Sequence, residues 1–199
     1  IFLTHQGTHQ LPPYLERIVE DTQLMFSDFK CHIWKNEDLR DCLSTYFGGD
    51  VLSAFDCLKP FAFKADLARY CLVYLTGGWY ADLSLRFLKR IHFGDAINMQ
   101  YFHDLAGGPP GPNSFMMSCQ NGLFYAKKKS IVFERCIEKI ISNCKNKNYG
   151  MISTEPTGPM LFGREIFRLI PDASFMPGYF MNLTPGFRNK NLAYVAAEG

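Results

Sequence analysis

Apolar positions along this chain switch repeatedly between helical and strand-like spacing, and the switches predict the elements. Positions 1–4 form an apolar run of strand length, and after Pro12-Pro13 the residues Leu15, Ile18, Val19, Thr22 and Phe26 recur at helical spacing. Positions 31–34 read as a second strand, with Asn36 expected to cap a helix over 37–46. A helix over 62–75 carries Phe63, Leu67, Cys71, Leu72 and Leu75 as apolar positions, while Asp66, Arg69 and Tyr70 share another face at i, i+3 and i+4. Gly77-Gly78 stops that helix. Trp79-Tyr80-Ala81 then reads as a short buried strand that delivers Asp82 at its carboxyl end, the edge at which open α/β sheets bind ligands. Further strands are expected over 97–102, 123–126, 175–180 and 192–196, and further helices over 131–144 and 158–170. The Gly/Pro run over 107–112 excludes regular structure and is expected to be a mobile loop bordering a site. Alternation of strand and helix gives an α/β fold.

With 199 residues, 47% of them hydrophobic and 20% charged, the chain fits one globular domain over 1–199. A formal charge of +2 demands no nucleic-acid partner. Lys127-Lys128-Lys129 reads as a solvated turn, with peripheral membrane docking as the lesser reading. Seven cysteines without a CxxC pair read as reduced thiols, argue against a zinc site and favour a cytoplasmic protein, or one of the Golgi lumen if the chain is a eukaryotic fragment. There is no apolar run of about 18 residues and no basic leader, so neither a membrane span nor a signal peptide is expected.

Asp82 at the end of an apolar strand is costly to bury unless it is paired or bound to something. It reads as a ligand-binding carboxylate, or as a partner of Arg86 or Lys89. Asp66 and Arg69 read as a recognition pair or as an ordinary helix-surface ion pair, worth about 0.2–0.5 kcal/mol. A planar, always charged guanidinium at Arg69 suits a phosphate. His5 ends an apolar strand, where core histidines are common; Trp34 reads as core; Thr157 reads as the cap of a helix with Pro159 in its first turn.

The order Ala65-Asp66-x-x-Arg69-Tyr70, then Gly77-Gly78-x-Tyr80-x-Asp82, resembles the signature of glycosyltransferase family thirty-two, the transferases with a DXD-containing sugar-binding region. Thr4-His5-Gln6, the Lys30 to Trp34 stretch, Asn121-Gly122 and Thr157-Gly158-Pro159 match it in the same order, so the resemblance covers roughly residues 1–170. Golgi mannosyltransferases and capsular or lipopolysaccharide hexosyltransferases belong to that family. The resemblance implies a nucleotide-sugar-binding sandwich of the glycosyltransferase A type with a mainly parallel central sheet. It implies retaining transfer of a hexose from a nucleotide diphosphate sugar to a hydroxyl of a glycan or glycolipid. Asp82 and Arg69 would be catalytic, and His5, Asp66, Arg69, Tyr70, Gly78, Tyr80, Asp82 and Asn121 would bind the donor. Thr157 and Gly158 would wall the site or meet the acceptor. Asp82 and Ser84 would hold Mn2+ or Mg2+.

Two departures qualify this expectation. Ser84 stands where the family carries its second DXD acid, which weakens the expected metal site. The chain also stops at Gly199 short of the family's closing segment, which reads as truncation at the C-terminus. The alternatives are a degenerate, metal-free module that binds a nucleotide sugar or glycan, and a toxin-like protein glycosyltransferase.

Overall fold

The computed structural model describes residues 2–5, 11–88, 90, 98–104, 118–169, 175–180 and 193–195. Its elements run β1 (Phe2–His5), α1 (Pro13–Met25), β2 (His32–Lys35), α2 (Asn36–Tyr46), α3 (Gly49–Cys57), α4 (Phe61–Thr76), β3 (Gly78–Ala81) and β4 (Leu85–Phe87). Then follow β5 (Met99–Asp104), β6 (Leu123–Ala126), α5 (Ile131–Lys145), α6 (Pro159–Phe167), β7 (Phe175–Phe180) and β8 (Ala193–Val195). The main sheet has the order β2-β1-β3-β6-β5-β7, and β4 pairs with β8 in a separate antiparallel ribbon.

The sheet is mixed. Its flanks are parallel, since β1 pairs in parallel with β2 and β3 and β5 does so with β7. At the centre, β6 runs antiparallel to both β3 and β5, the one reversed strand among the six described, whose other five share a direction.

Side chains alternate across the strands, and the two faces bury different clusters. Tyr80 and Phe124 point into a large cluster with α2 to α6, whereas Trp79, Ala81 and Leu123 meet Leu15, Ile18, Val19 and Phe26 around α1. In the larger cluster Tyr70, Phe133 and Phe162 pack as a triangle, with the Tyr70 ring centroid 5.7 Å and 5.6 Å from the other two, which are 5.9 Å apart. The α4 helix is enclosed by this cluster, and every residue from position 65 to 73 on it is buried. A helix buried all round belongs to a core, so the polar trio of α4 is held inside the protein.

Some local expectations change. Lys35, not Asn36, is the N-cap of α2; the Asp38 carboxylate accepts from the Lys35 backbone N–H at 3.3 Å, and Asn36 is the first helical residue. The nine-residue α3 and three-residue β4 were not expected, being too short to show a period. The Gly/Pro run over 107–112 lies outside the described residues. None of the seven cysteines is in a disulfide. Burial pushes the Cys71 and Cys136 thiols well up and the Cys144 thiol up to about 11. Among the described residues, no helix is long and apolar enough to cross a membrane.

Gly77 closes α4 at φ 70° and ψ 177°, a region that only glycine enters freely. A Cβ there would also sit 2.7 Å from the Lys128 backbone nitrogen. Gly77→Ala is therefore expected to cost about 1–3 kcal/mol, read as a lower midpoint in thermal unfolding; an unchanged midpoint would show that the β6–α5 turn yields without strain.

Candidate functional site

Three pieces of chain meet at the carboxyl end of β3. The α4 helix supplies Asp66, Arg69 and Tyr70, and β3 ends in Asp82, whose backbone N–H donates to the Gly122 carbonyl at 2.7 Å. Because β6 is antiparallel to β3, with Ala81 opposite Leu123, the residues that enter β6 lie at the edge where β3 leaves the sheet. That orientation is what brings Asn121 and Gly122 to Asp82. The third piece is the approach to α6, where Thr157 and Gly158 stand against Asp66.

Hydrogen bonds join the three. Asn121 Nδ2 donates to Asp66 Oδ1 at 2.8 Å and to the Tyr70 hydroxyl at 3.0 Å. The Thr157 hydroxyl donates to Asp66 Oδ2 at 2.7 Å. Arg69 donates from Nε to the Ala65 carbonyl at 3.1 Å and from one terminal nitrogen to the Asn121 carbonyl at 2.6 Å. Its terminal nitrogens also lie 3.2 Å from Asp82 Oδ1 and 3.4 Å from Asp66 Oδ1. The Tyr80 ring faces the guanidinium at 4.6 Å, and its hydroxyl donates to Asp82 Oδ1 at 2.8 Å.

Exposure separates these groups. The Asp66 and Arg69 side chains are 11% and 7% exposed, against 42% for Asp82. One carboxylate thus faces solvent from an otherwise internal network. Its Oδ1 is engaged by Tyr80 and Arg69, and its Oδ2 lies beside Gly122, where a Cβ would come within 2.6 Å of it.

Burial pushes the Asp66 carboxyl above its usual range, against the opposing pull of Arg69, Thr157 and Asn121. Burial also works against the Arg69 charge, but Asp82, Tyr80 and Asp66 outweigh it and hold its pKa above the ordinary value. Burial, with Asp66 adding to it, raises the Tyr70 phenol well above its usual value.

The residues singled out from sequence fall into three groups. Asp66, Arg69, Tyr70, Tyr80, Asp82, Asn121, Thr157 and Gly158 converge. Ser84 is half-buried in the turn after Asp82, which the Leu85 N–H closes onto the Asp82 carbonyl at 2.9 Å. The backbone of His5 ends β1, opposite Lys35 at the end of β2.

Gly78 does not converge. It begins β3, so at about 3.3 Å per residue it lies roughly 13 Å along the strand from Asp82. Thr157 does not cap α6 either: Gly158 is the N-cap, without a side-chain bond, and the Thr157 hydroxyl is engaged by Asp66. Arg86 pairs with Asp21, not with Asp82. The Asp66–Arg69 pair is buried, which makes it a different object from a surface ion pair.

Gln120 was missed, and Gly122, matched only as part of a motif, was given no role. Gln120 braces the turn by accepting from the Gly122 N–H at 3.1 Å, and Gly122 leaves room for the Asp82 carboxylate. A glycine directly before an apolar strand was the available signal. Among the described residues, no group of three or more His, Cys, Asp or Glu side chains could hold a metal ion.

No family model matches the chain. It is 31% identical over 97 residues to an uncharacterized glycosyltransferase of Acanthamoeba polyphaga mimivirus, a match that covers 49% of this chain and 38% of that protein. Part of the chain is thus homologous to a glycosyltransferase, and it spans well under half of that relative. The fold is similar to that of PaToxG glycosyltransferase, with a TM-score of 0.65 and 13% identity over 86% of this chain and 69% of the other.

The network predicts a contrast at Asp66. Asp66→Asn keeps the shape and removes a charge that burial disfavours; Asp66→Ala leaves Arg69 and two buried donors short of a partner. The expected losses are below about 1.5 kcal/mol for Asn and about 3–5 kcal/mol for Ala in urea unfolding. Equal losses would mean that the Asp66 oxygens do not anchor the network.

Proposed function

We propose that the chain is a glycosyltransferase whose nucleotide diphosphate sugar docks at the carboxyl edge of β1, β2 and β3. The observation that carries this reading is the Asp82 carboxylate, half-exposed at that edge and fixed by Tyr80, Arg69 and the Gly122 carbonyl. The partial homology to a glycosyltransferase and the shared fold support it. A further support lies at the end of β2, where Trp34 Nε1 and Asn36 Oδ1 are buried without a hydrogen-bond partner among the described residues. A free donor and a free acceptor two residues apart at a strand end suit the edge of a nucleobase.

In this reading Asp82 Oδ2 accepts from a hydroxyl of the donor's sugar or ribose. Arg69 acts through Asp82: its nitrogens are engaged internally, so it is a positioning residue that also leaves positive potential behind the departing diphosphate. Asp66, Asn121 and Thr157 keep Arg69 in place. We favour transfer with retention and a hexose as the group moved. The bond from the anomeric carbon to the β-phosphate oxygen breaks, the bond to the acceptor oxygen forms on the same face, and the acceptor's proton passes to the leaving phosphate. A hydroxyl of a glycan or glycolipid is the acceptor.

One carboxylate and the Ser84 hydroxyl do not make a cation site on their own, yet they fit Mn2+ or Mg2+ that takes its remaining oxygens from a diphosphate and water. Such an ion would supply charge compensation to the leaving group. Ser84 favours a second reading, a module that binds the donor without metal and without turnover.

Calorimetry of the whole chain with uridine and guanosine diphosphate sugars, in manganese and in chelator, tests both readings. Asp82→Asn is expected to weaken donor binding roughly tenfold or more, with a lowered melting midpoint because the buried Arg69 loses one of its two carboxylates, and the chain still folded at the titration temperature. Gly122→Ala, which crowds Asp82 Oδ2, is expected to weaken donor binding as well. Absence of binding by any such sugar in either condition would remove the donor site.

Ser84→Asp is expected to tighten manganese and donor together, because hard cations favour charged oxygen ligands. Equal donor affinity in manganese and chelator for the native chain, with weaker binding in Ser84→Asp, would select the metal-free module.

A further inference from the structure

A cleft of about 540 Å³ lies between α5 and α6, lined also by Glu155 and Pro156 and without Asp66, Arg69 or Asp82 in its walls. Its size is that of a small-molecule site. A shallower hollow of about 440 Å³ continues it and shares Lys139, Glu165 and Arg168 as walls. The helical period supplies the lining. Arg135, Glu138, Lys139 and Ser142 form a stripe on α5, and Arg164, Glu165 and Arg168 one on α6 and its C-cap.

The rim is fixed. Glu155 accepts from Arg164 and from the Met151 N–H, each at 2.5 Å, and Asn143 donates to the Pro156 carbonyl at 2.9 Å. Gly150, at φ 69°, has no room for a Cβ because Glu155 lies 2.7 Å from where it would stand.

Against this braced frame one group is left over. Glu165 has a side chain only 3% exposed and donates nothing; its Oε1 accepts from Arg168 at 2.5 Å, but its Oε2 has no partner among the described residues. An unpaired buried carboxylate oxygen is costly and asks for a hydrogen-bond donor. Arg135 and Lys139 meanwhile form no ion pair among the described residues and line the same hollow as Glu165.

This combination selects a ligand class. An anion would meet the Glu165 oxygen and the carboxylates of Glu138 and Glu155; a cation would meet Arg135 and Lys139. A neutral polyhydroxyl compound both donates to Glu165 and accepts from Arg168 and Lys139. The rim also offers an apolar face, since Tyr149 is 74% and Met151 91% exposed beside the lining residues Asn148 and Gly150. We propose that the α5–α6 cleft is a saccharide-binding site, separate from the Asp82 edge. Saccharide binding here does not depend on donor binding; only its use as a hold on the far units of an acceptor glycan rests on the glycosyltransferase reading.

Backbone-amide NMR of the isotope-labelled whole chain, titrated with maltotriose, mannotriose and chitotriose, tests the site. At least one of these is expected to give saturable shifts over residues 135–168, with affinity at least about tenfold lower in Arg168→Gln and in Glu165→Gln. Lys139→Gln, an exposed position that leaves the fold intact, is expected to weaken it less, and keeps the test decisive if Glu165→Gln fails to fold. Nucleotide-sugar affinity should stay unchanged in all three variants. The proposal falls if none of the trisaccharides binds, if the shifts centre on Asp82, if Arg168→Gln and Lys139→Gln bind as well as the native chain, or if inorganic phosphate or spermidine occupies the cleft instead.

Discussion

The site depends on one buried cation. Arg69 sits inside a helix that is enclosed on all sides, and a charge so placed is tolerable only when every face of it is answered. The answers come from four places: Ala65 within the helix, Asp66 one turn back, the carbonyl of Asn121 before β6 and the carboxylate of Asp82 after β3. The guanidinium therefore welds α4 to two strands, and Asp66 extends the weld to the start of α6 through Thr157. Only the outermost member, Asp82, reaches solvent, and it does so in an orientation set by groups that do not.

That arrangement needs the central strand to run backwards. In an all-parallel sheet the segment entering β6 would lie at the opposite edge from the end of β3; with Ala81 opposite Leu123, Asn121 and Gly122 instead adjoin Asp82. The antiparallel pair thus closes the site from the side that a parallel crossover leaves open. The same pairing lets the aromatic stack of Tyr70, Phe124, Phe133 and Phe162 reach the polar network, because the Tyr70 hydroxyl bonds to Asn121 while its ring is packed in the core.

Much of this was legible in the order of residues. The spacing of Asp66, Arg69 and Tyr70 put them on one side of a helix, and Gly77-Gly78 before an apolar triplet placed Asp82 at a strand end. Burial was not legible. Nothing in the period of α4 distinguishes a polar face open to solvent from one closed by β6 and α6, since both covering pieces lie more than fifty positions downstream. For the same reason Thr157, which satisfies every local rule for a helix cap, is drawn to Asp66 instead, and Asn36 loses the cap to Lys35, whose backbone N–H donates to the Asp38 carboxylate. The direction of β6 was equally hidden, because strand polarity within a sheet is fixed by long-range packing.

The cysteines carry a consequence for chemistry outside the site. Thiolate, not thiol, is the form that reacts with oxidants and disulfides, and burial suppresses it at Cys71 and Cys136 while Cys144 reaches its thiolate only near pH 11. Cys57 is the exposed thiol of the seven. The count of cysteines therefore reports mainly on packing, where the buried Cys42, Cys71, Cys119 and Cys136 serve as small apolar residues, and says little about the redox potential of the surroundings in which this fold must persist.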